Sequence, residues 1–162
     1  MSVPDGGNPA EISIELSVVA PAHNEEANVG PLVDQIDRAL GKLAIGYEIV
    51  LVDDGSVDRT RDVIRDAMRT RPHLRCIAML STPPGKGNGQ SAAFHAGFRA
   101  CRGRLIAVLD ADLQNDPADI PRMLELLRQE DADMVQGDRS HARKDNFVRR
   151  LGSRVGRLFR RA

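Results

Sequence analysis

Two aspartates leave an apolar run two positions apart, in Leu105-Ile106-Ala107-Val108-Leu109-Asp110-Ala111-Asp112-Leu113-Gln114. The five apolar residues before them read as a buried strand of a parallel sheet. Residues two apart share a face of an extended chain. Asp110 and Asp112 are therefore expected side by side, with Gln114 next on the same face. Carboxylates held that close repel unless a cation lies between them. A hard divalent ion with oxygen ligands, carrying substrate phosphates on its open positions, fits this set. The predicted chemistry is a metal–diphosphate held at the carboxyl end of a strand, where open α/β sheets place ligands. The simpler alternative is that the pair caps the helix entered at Pro117, but a cap needs only one carboxylate.

Three further segments carry the right residue types. Asp53-Asp54-Gly55-Ser56 follows the apolar run Ile49-Val50-Leu51-Val52. Adjacent strand residues point opposite ways, so one aspartate is expected in the ligand crevice. The other would hold the turn or help neutralise a metal; an ordinary turn and cap is the alternative. Pro21-Ala22-His23-Asn24-Glu25-Glu26 follows the first strand at the same edge. A carboxylate there can accept hydrogen bonds from a ribose or a base edge, and an acidic helix start is the alternative. His23 reads as a rim residue rather than a base. Gly85-Lys86-Gly87-Asn88-Gly89 resembles a phosphate-cradling loop. It lacks the Lys-Ser/Thr ending of nucleotide hydrolases and the position of a dinucleotide fingerprint, and a purely structural loop stays open.

The elements that must position these residues alternate along the chain. Strands are predicted over Ile14 to Ala20, Tyr47 to Val52, Leu74 to Leu80 and Arg104 to Leu109, with a short fifth at Met134-Val135. Val29, Leu32, Val33, Ile36, Leu40 and Leu43 mark one helix face. Ser56 is the predicted N-cap of a helix carrying Val63, Ile64 and Met68. Helices are also expected from Gly89 to Ala100 and from Pro117 through Leu127. This rhythm predicts an α/β fold with a mostly parallel sheet and helices on both faces.

A length of 162 residues predicts one main domain, and 41% apolar with 28% charged residues is ordinary for a soluble protein. A net charge of zero gives no global attraction to nucleic acid. From Arg139 onward, however, nine Lys or Arg face one acidic residue, Asp145. Phe147, Val148, Leu151, Val155, Leu158 and Phe159 follow helical spacing there, with arginines between them, as in a basic amphipathic helix. The expected division is a disordered tail over 1–13, a nucleotide-binding domain over 14–140, and a loop with the basic helix over 141–162. The chain stops inside that last element, so a longer protein is expected. Cys76 and Cys101 have neither metal nor disulfide spacing and read as buried thiols of a reducing compartment. No signal peptide and no apolar stretch of membrane-spanning length is apparent.

Taken in order, Val19 to Glu26, Val52 to Ser56, Gly89-Gln90-Ser91-Ala92-Ala93, Asp110 to Pro117 and Gln136-Gly137-Asp138-Arg139 resemble the family 2 glycosyltransferases of GT-A fold. The closest branch is the dolichol-/polyprenyl-phosphate sugar synthases, over roughly residues 15 to 160. That resemblance implies an inverting transfer of sugar from a nucleotide diphosphate sugar to a polyprenyl phosphate. It places Pro21, Ala22, Asn24, Glu25 and Asp53 in the nucleoside pocket, with Asp54 beside them. It gives Mg2+ or Mn2+ to Asp110, Asp112 and Gln114. It sets Arg139 near the phosphates, and Arg149 and Ser153 at the lipid phosphate. Asp112 and Arg139 are the implied catalytic residues. It also implies a peripheral enzyme at the cytoplasmic face of a membrane, docked through the basic helix, with no nucleic-acid partner. His23 stands where the family usually has tyrosine, and the 83–88 stretch is longer and richer in glycine than usual. The alternatives from other classes are a non-catalytic donor-binding fragment docked at a membrane, and a nucleotidyltransferase. The latter needs a Gly-rich basic loop where this chain has Pro21 to Glu25.

Overall fold

The computed structural model describes residues 13–80 and 83–137. The expected tail (Ser13 excepted), Arg139, Arg149, Ser153 and the basic helix lie outside the described residues. The chain divides into two compact units, Met1–Arg122 and Met123–Ala162. The break falls inside the helix Ile120–Gln129.

The first unit runs β1 (Ile14–Ala22), α1 (Val29–Leu40), β2 (Gly46–Asp54), α2 (Thr60–Met68), β3 (Leu74–Met79), α3 (Gln90–Ala100), β4 (Leu105–Val108) and a 3-10 turn (Pro117–Asp119). The turn leads into α4 (Ile120–Gln129). The four strands are all parallel, in the order β3-β2-β1-β4. β1 and β2 are the central pair. Their apolar runs, Val18 to Ala20 and Ile49 to Val52, are fully buried, as expected for parallel strands covered on both faces.

α3 packs on one face, where Ala93 joins Val19, Val50 and Val52. Period-two alternation turns Val18, Ala20, Ile49 and Leu51 to the other face. α1 and α2 pack against each other, and α2 lies on β2 and β3. The stripe Leu32, Val33, Ile36 and Leu40 of α1 is buried throughout. Each such side chain removed from water contributes roughly 1.5–3 kcal/mol. Gly97 lets α3 approach the sheet: a Cβ there would lie 2.5 Å from Val19 Cγ1 and 3.1 Å from Val52 Cγ2.

Two sequence expectations fail here. β4 is not buried on both faces: it pairs with β1 alone among the described residues, and Ile106 and Val108 are 44% and 48% exposed. Met134-Val135 forms no strand. Met134 is 75% exposed, and two apolar residues between Asp133 and Gln136 are too few to hold a place in a sheet. In the second unit, α4 ends with Glu130 N–H on Leu126 O and Ala132 N–H on Leu127 O.

Candidate active site

A cleft of about 400 Å³ opens at the carboxyl edge of the sheet. Pro21, Ala22, His23 and Glu25 enter it from the end of β1. Asp54 enters from the last position of β2. Lys86, Gly87, Gly89, Gln90 and Ala93 come from the loop before α3 and its first turns, and Asp110, Ala111 and Asp112 from the segment after β4. The strand order explains the position. β1 leads to β2 on one side and neighbours β4 on the other, so crossovers leave the sheet on opposite faces at this seam.

The loops after β1 and β2 are stapled together. Asn24 N–H donates to Ser56 Oγ at 3.0 Å, and Val57 N–H donates to Asn24 Oδ1 at 3.0 Å. Glu25 N–H reaches Thr60 Oγ1, Glu26 N–H reaches Asp58 Oδ2, and Arg59 N–H reaches Glu26 Oε2. Asn24 holds a left-handed φ of 58°, which its short amide tolerates better than most residues. Asn24 is therefore a brace rather than a cleft-lining residue. Ser56 is not the cap of α2. Its hydroxyl serves Asn24, and Asp58 takes the Thr60 N–H at 2.9 Å as α2 begins. His23 is also committed. The Asp54 carbonyl can only accept, so His23 Nδ1 donates to it at 2.8 Å. Nε2 is then the acceptor facing Asn24 Nδ2 at 3.2 Å.

The paired aspartates of β2 divide their work. Asp53 is fully buried, accepts Ser56 N–H at 3.0 Å and pairs with Arg61 Nε at 2.6 Å. It holds the turn and does not line the cleft. Asp54 does, and the loop 85–89 is built on it. Asn88 and Gly89 backbone N–H groups and the Asn88 side chain all donate to its carboxylate. Burial pushes the Asp54 pKa up, but the donors from Asn88 and Gly89 outweigh it and hold the group below the usual Asp range. The glycine-rich loop thus turns two of its amides onto a protein carboxylate rather than leaving them for a phosphate. Gly85, Gly87 and Gly89 have φ of 79°, 72° and 95°, which bring Lys86 to the cleft.

Asp110 and Asp112 both line the cleft, although the geometry differs from the extended pair expected. β4 ends at Val108, residues 111–113 turn, and Leu113 has φ 61°. The turn carries Gln114 away from the shared face. Its backbone N–H bonds Asp112 Oδ1 at 3.0 Å, and it is not among the cleft residues. Asp116, not Asp110 or Asp112, caps the helical turn at Pro117 by accepting Ala118 N–H. Asp110 Oδ1 receives Gln90 Nε2 at 2.7 Å. Among the described residues, no group of three or more His, Cys, Asp or Glu is arranged to hold a metal. A pair of carboxylates on one cleft wall does fit a hard divalent ion that shares its shell with substrate phosphates.

Four carboxylates, Glu25, Asp54, Asp110 and Asp112, face the cleft, and Lys86 is the one Lys or Arg among its described lining residues. α3 begins there without a side-chain cap on its N-terminal amides, which adds partial positive charge. The sequence reading assigned no role to Gln90 or Asn88; their amide side chains inside glycine-rich motifs were the available signal. It also missed Glu48. That residue is fully buried beneath Ser17, Arg75 and Arg102, and a lone carboxylate inside Tyr47 to Val52 was the clue. Cys76 and Cys101 are free and partly buried.

The chain is 40% identical over 149 residues to dodecaprenyl-phosphate galacturonate synthase of Rhizobium johnstonii, covering 91% of this chain and 43% of that protein. It is 41% identical over 140 residues to undecaprenyl-phosphate 4-deoxy-4-formamido-L-arabinose transferase of Edwardsiella ictaluri, covering 86% and 41%. The chain thus spans about two-fifths of the curated relatives it matches. Among solved structures, the mannosyltransferase of Pyrobaculum calidifontis in complex with GDP-Man and Mn2+ superposes with a TM-score of 0.58 at 21% identity, over 75% of this chain and 36% of that one. Glucosyl-3-phosphoglycerate synthase of Mycobacterium tuberculosis with Mn2+, UDP and phosphoglyceric acid gives 0.57 at 22%, over 76% and 41%. These likenesses establish the GT-A fold. The profile of glycosyl transferase family 2 matches residues 17–162, and the chain belongs to that family.

Proposed function

We propose that this chain is the donor-binding part of an enzyme that moves a sugar, with inversion, from a nucleotide diphosphate sugar to a polyprenyl phosphate. One observation carries the reading: the exits of β1, β2 and β4 converge on one cleft, with Asp110 and Asp112 at one wall and Pro21, Ala22, Glu25 and Asp54 at another. The second wall would take the nucleoside, braced from behind by Asn24 and Asp53. Lys86 would face the diphosphate. Asp110 and Asp112 would hold Mg2+ or Mn2+, which when bound offsets charge developing on the departing diphosphate.

The relatives named for dodecaprenyl and undecaprenyl phosphates support the acceptor class. An acceptor phosphate oxygen would attack the anomeric carbon as the bond to the diphosphate oxygen breaks, and the nucleoside diphosphate leaves. That oxygen is anionic at neutral pH, so the step needs no strong general base. This accords with a His23 ring whose two nitrogens are both engaged. Arg139, Arg149 and Ser153 would receive the acceptor phosphate, the arginines offsetting repulsion between phosphates. The basic segment from Phe147 onward would dock at an anionic membrane on its cytoplasmic face. Among the described residues no helix is long and apolar enough to cross a membrane.

The test is a screen of UDP- and GDP-sugars against the whole enzyme that carries this chain, with short polyprenyl phosphates and Mn2+ or Mg2+. The reading expects a polyprenyl-phosphate sugar and free nucleoside diphosphate in equal amounts. Donor binding with no transfer to any polyprenyl phosphate would reduce the chain to a binding module.

A further inference from the structure

Asp110 is held by neutral amides from two directions. Gln90 Nε2 donates to Oδ1 at 2.7 Å, and Asn115 Nδ2 approaches Oδ2 at 3.4 Å. The shorter bond comes from another element. Gln90 is the first residue of α3, a helix seated on the sheet through Ala93 and Gly97. Its neighbours Asn88 and Gly89 grip Asp54. Three consecutive residues therefore fix a carboxylate at the end of β2 and another after β4. Among the described residues, Asp112 is held by its own turn, through Gln114 N–H.

The choice of an amide has a physical consequence. A lysine or arginine at position 90 would also orient Asp110, but its charge would neutralise the carboxylate and repel a cation. An amide fixes direction and leaves the negative charge in place. Building on the donor-binding reading above, we infer that Gln90 is a positioning residue, holding Asp110 in the orientation in which it shares a divalent cation with Asp112.

Calorimetry on the full chain tests this, with Mn2+ titrated at fixed UDP or GDP, whichever the wild type binds more tightly. Gln90→Ala should raise the Mn2+ concentration for half-saturation by roughly tenfold. Metal-free nucleoside affinity and thermal midpoint should stay at wild-type values. Gln90→Lys should raise it further, because the new ammonium competes with the ion for Asp110. Wild-type half-saturation in Gln90→Ala would overturn the inference and leave the metal site standing. A parallel loss of midpoint and nucleoside affinity would also overturn it, by showing general damage. A wild-type chain whose diphosphate binding ignores Mn2+ would overturn the metal reading itself, and this inference with it.

Discussion

Asn88 grips Asp54 with both its backbone and its side chain. Its N–H lies 2.9 and 2.8 Å from the two carboxylate oxygens, and its Nδ2 lies 2.8 Å from Oδ1. The same Nδ2 donates to Leu80 O at 2.9 Å. One asparagine therefore ties the loop before α3 to the ends of β2 and β3. Asn88→Ala removes the side-chain bonds and keeps the backbone ones. Chemical denaturation should show a loss of about 1.5–3 kcal/mol, as for a hydrogen bond to a charged group. Wild-type stability would mean that the loop is held without Asn88.

Glu48 sets an acid limit on the fold. Burial raises its pKa, but Ser17, Arg102 and Arg75 donate to it and bring the group down to about 2. A depressed carboxylate stabilises the folded state above its unfolded pKa and loses that contribution as pH falls through the folded value. The loss belongs between about pH 4.5 and pH 2. At pH 7, Glu48→Gln should cost about 1.5–3 kcal/mol, the scale of lost hydrogen bonds to a charged group, because the half-exposed Arg75 and Arg102 stay solvated. Denaturation curves of the two proteins should converge as pH approaches 2.

The close approach of α3 to the sheet predicts a steric penalty. Gly97→Ala places a Cβ 2.5 Å from Val19 Cγ1, and neither element can yield without disturbing the other. A loss of roughly 1–3 kcal/mol is expected, as for other overpacked cores. Because α3 carries Gln90 into the cleft, Mn2+ dependence should weaken along with the thermal midpoint.

Lys86 should distinguish phosphate from nucleoside. Lys86→Ala is expected to weaken nucleoside diphosphate binding by about 1 kcal/mol, the scale of an exposed charge contact, and to leave free nucleoside binding alone. The difference should shrink in high salt. Equal losses for both ligands would remove Lys86 from the diphosphate.

Much of this was legible in the residues. The apolar runs into Asp53 and Asp110 place both acidic clusters at one sheet edge, because parallel strands share a direction. Alternation separated Asp53 from Asp54, and the fold decides which enters the cleft: Arg61 claims Asp53 and the loop claims Asp54. Other features depend on contacts that a linear reading lacks. Gln114 was counted on the extended face, but the chain turns at Leu113 with φ 61°. The sequence predicts Ser56 as a cap, but Asn24, 32 residues earlier, claims its hydroxyl. Gly85 to Gly89 left a phosphate cradle and a purely structural loop both open, and the contact of two of its amides with Asp54 joins residues 34 and 35 positions apart.

The most direct test of the central claim, that Asp110 and Asp112 place a metal–diphosphate in this cleft, is calorimetry of UDP and GDP with and without Mn2+ on the wild type and Asp112→Asn. The variant keeps size and shape at a strand exit outside the core, so the thermal midpoint should hold. Mn2+ should strengthen diphosphate binding in the wild type, and Asp112→Asn should lose roughly 1.5–3 kcal/mol of that metal-dependent affinity. Equal affinity of the two proteins in the presence of Mn2+ would contradict it.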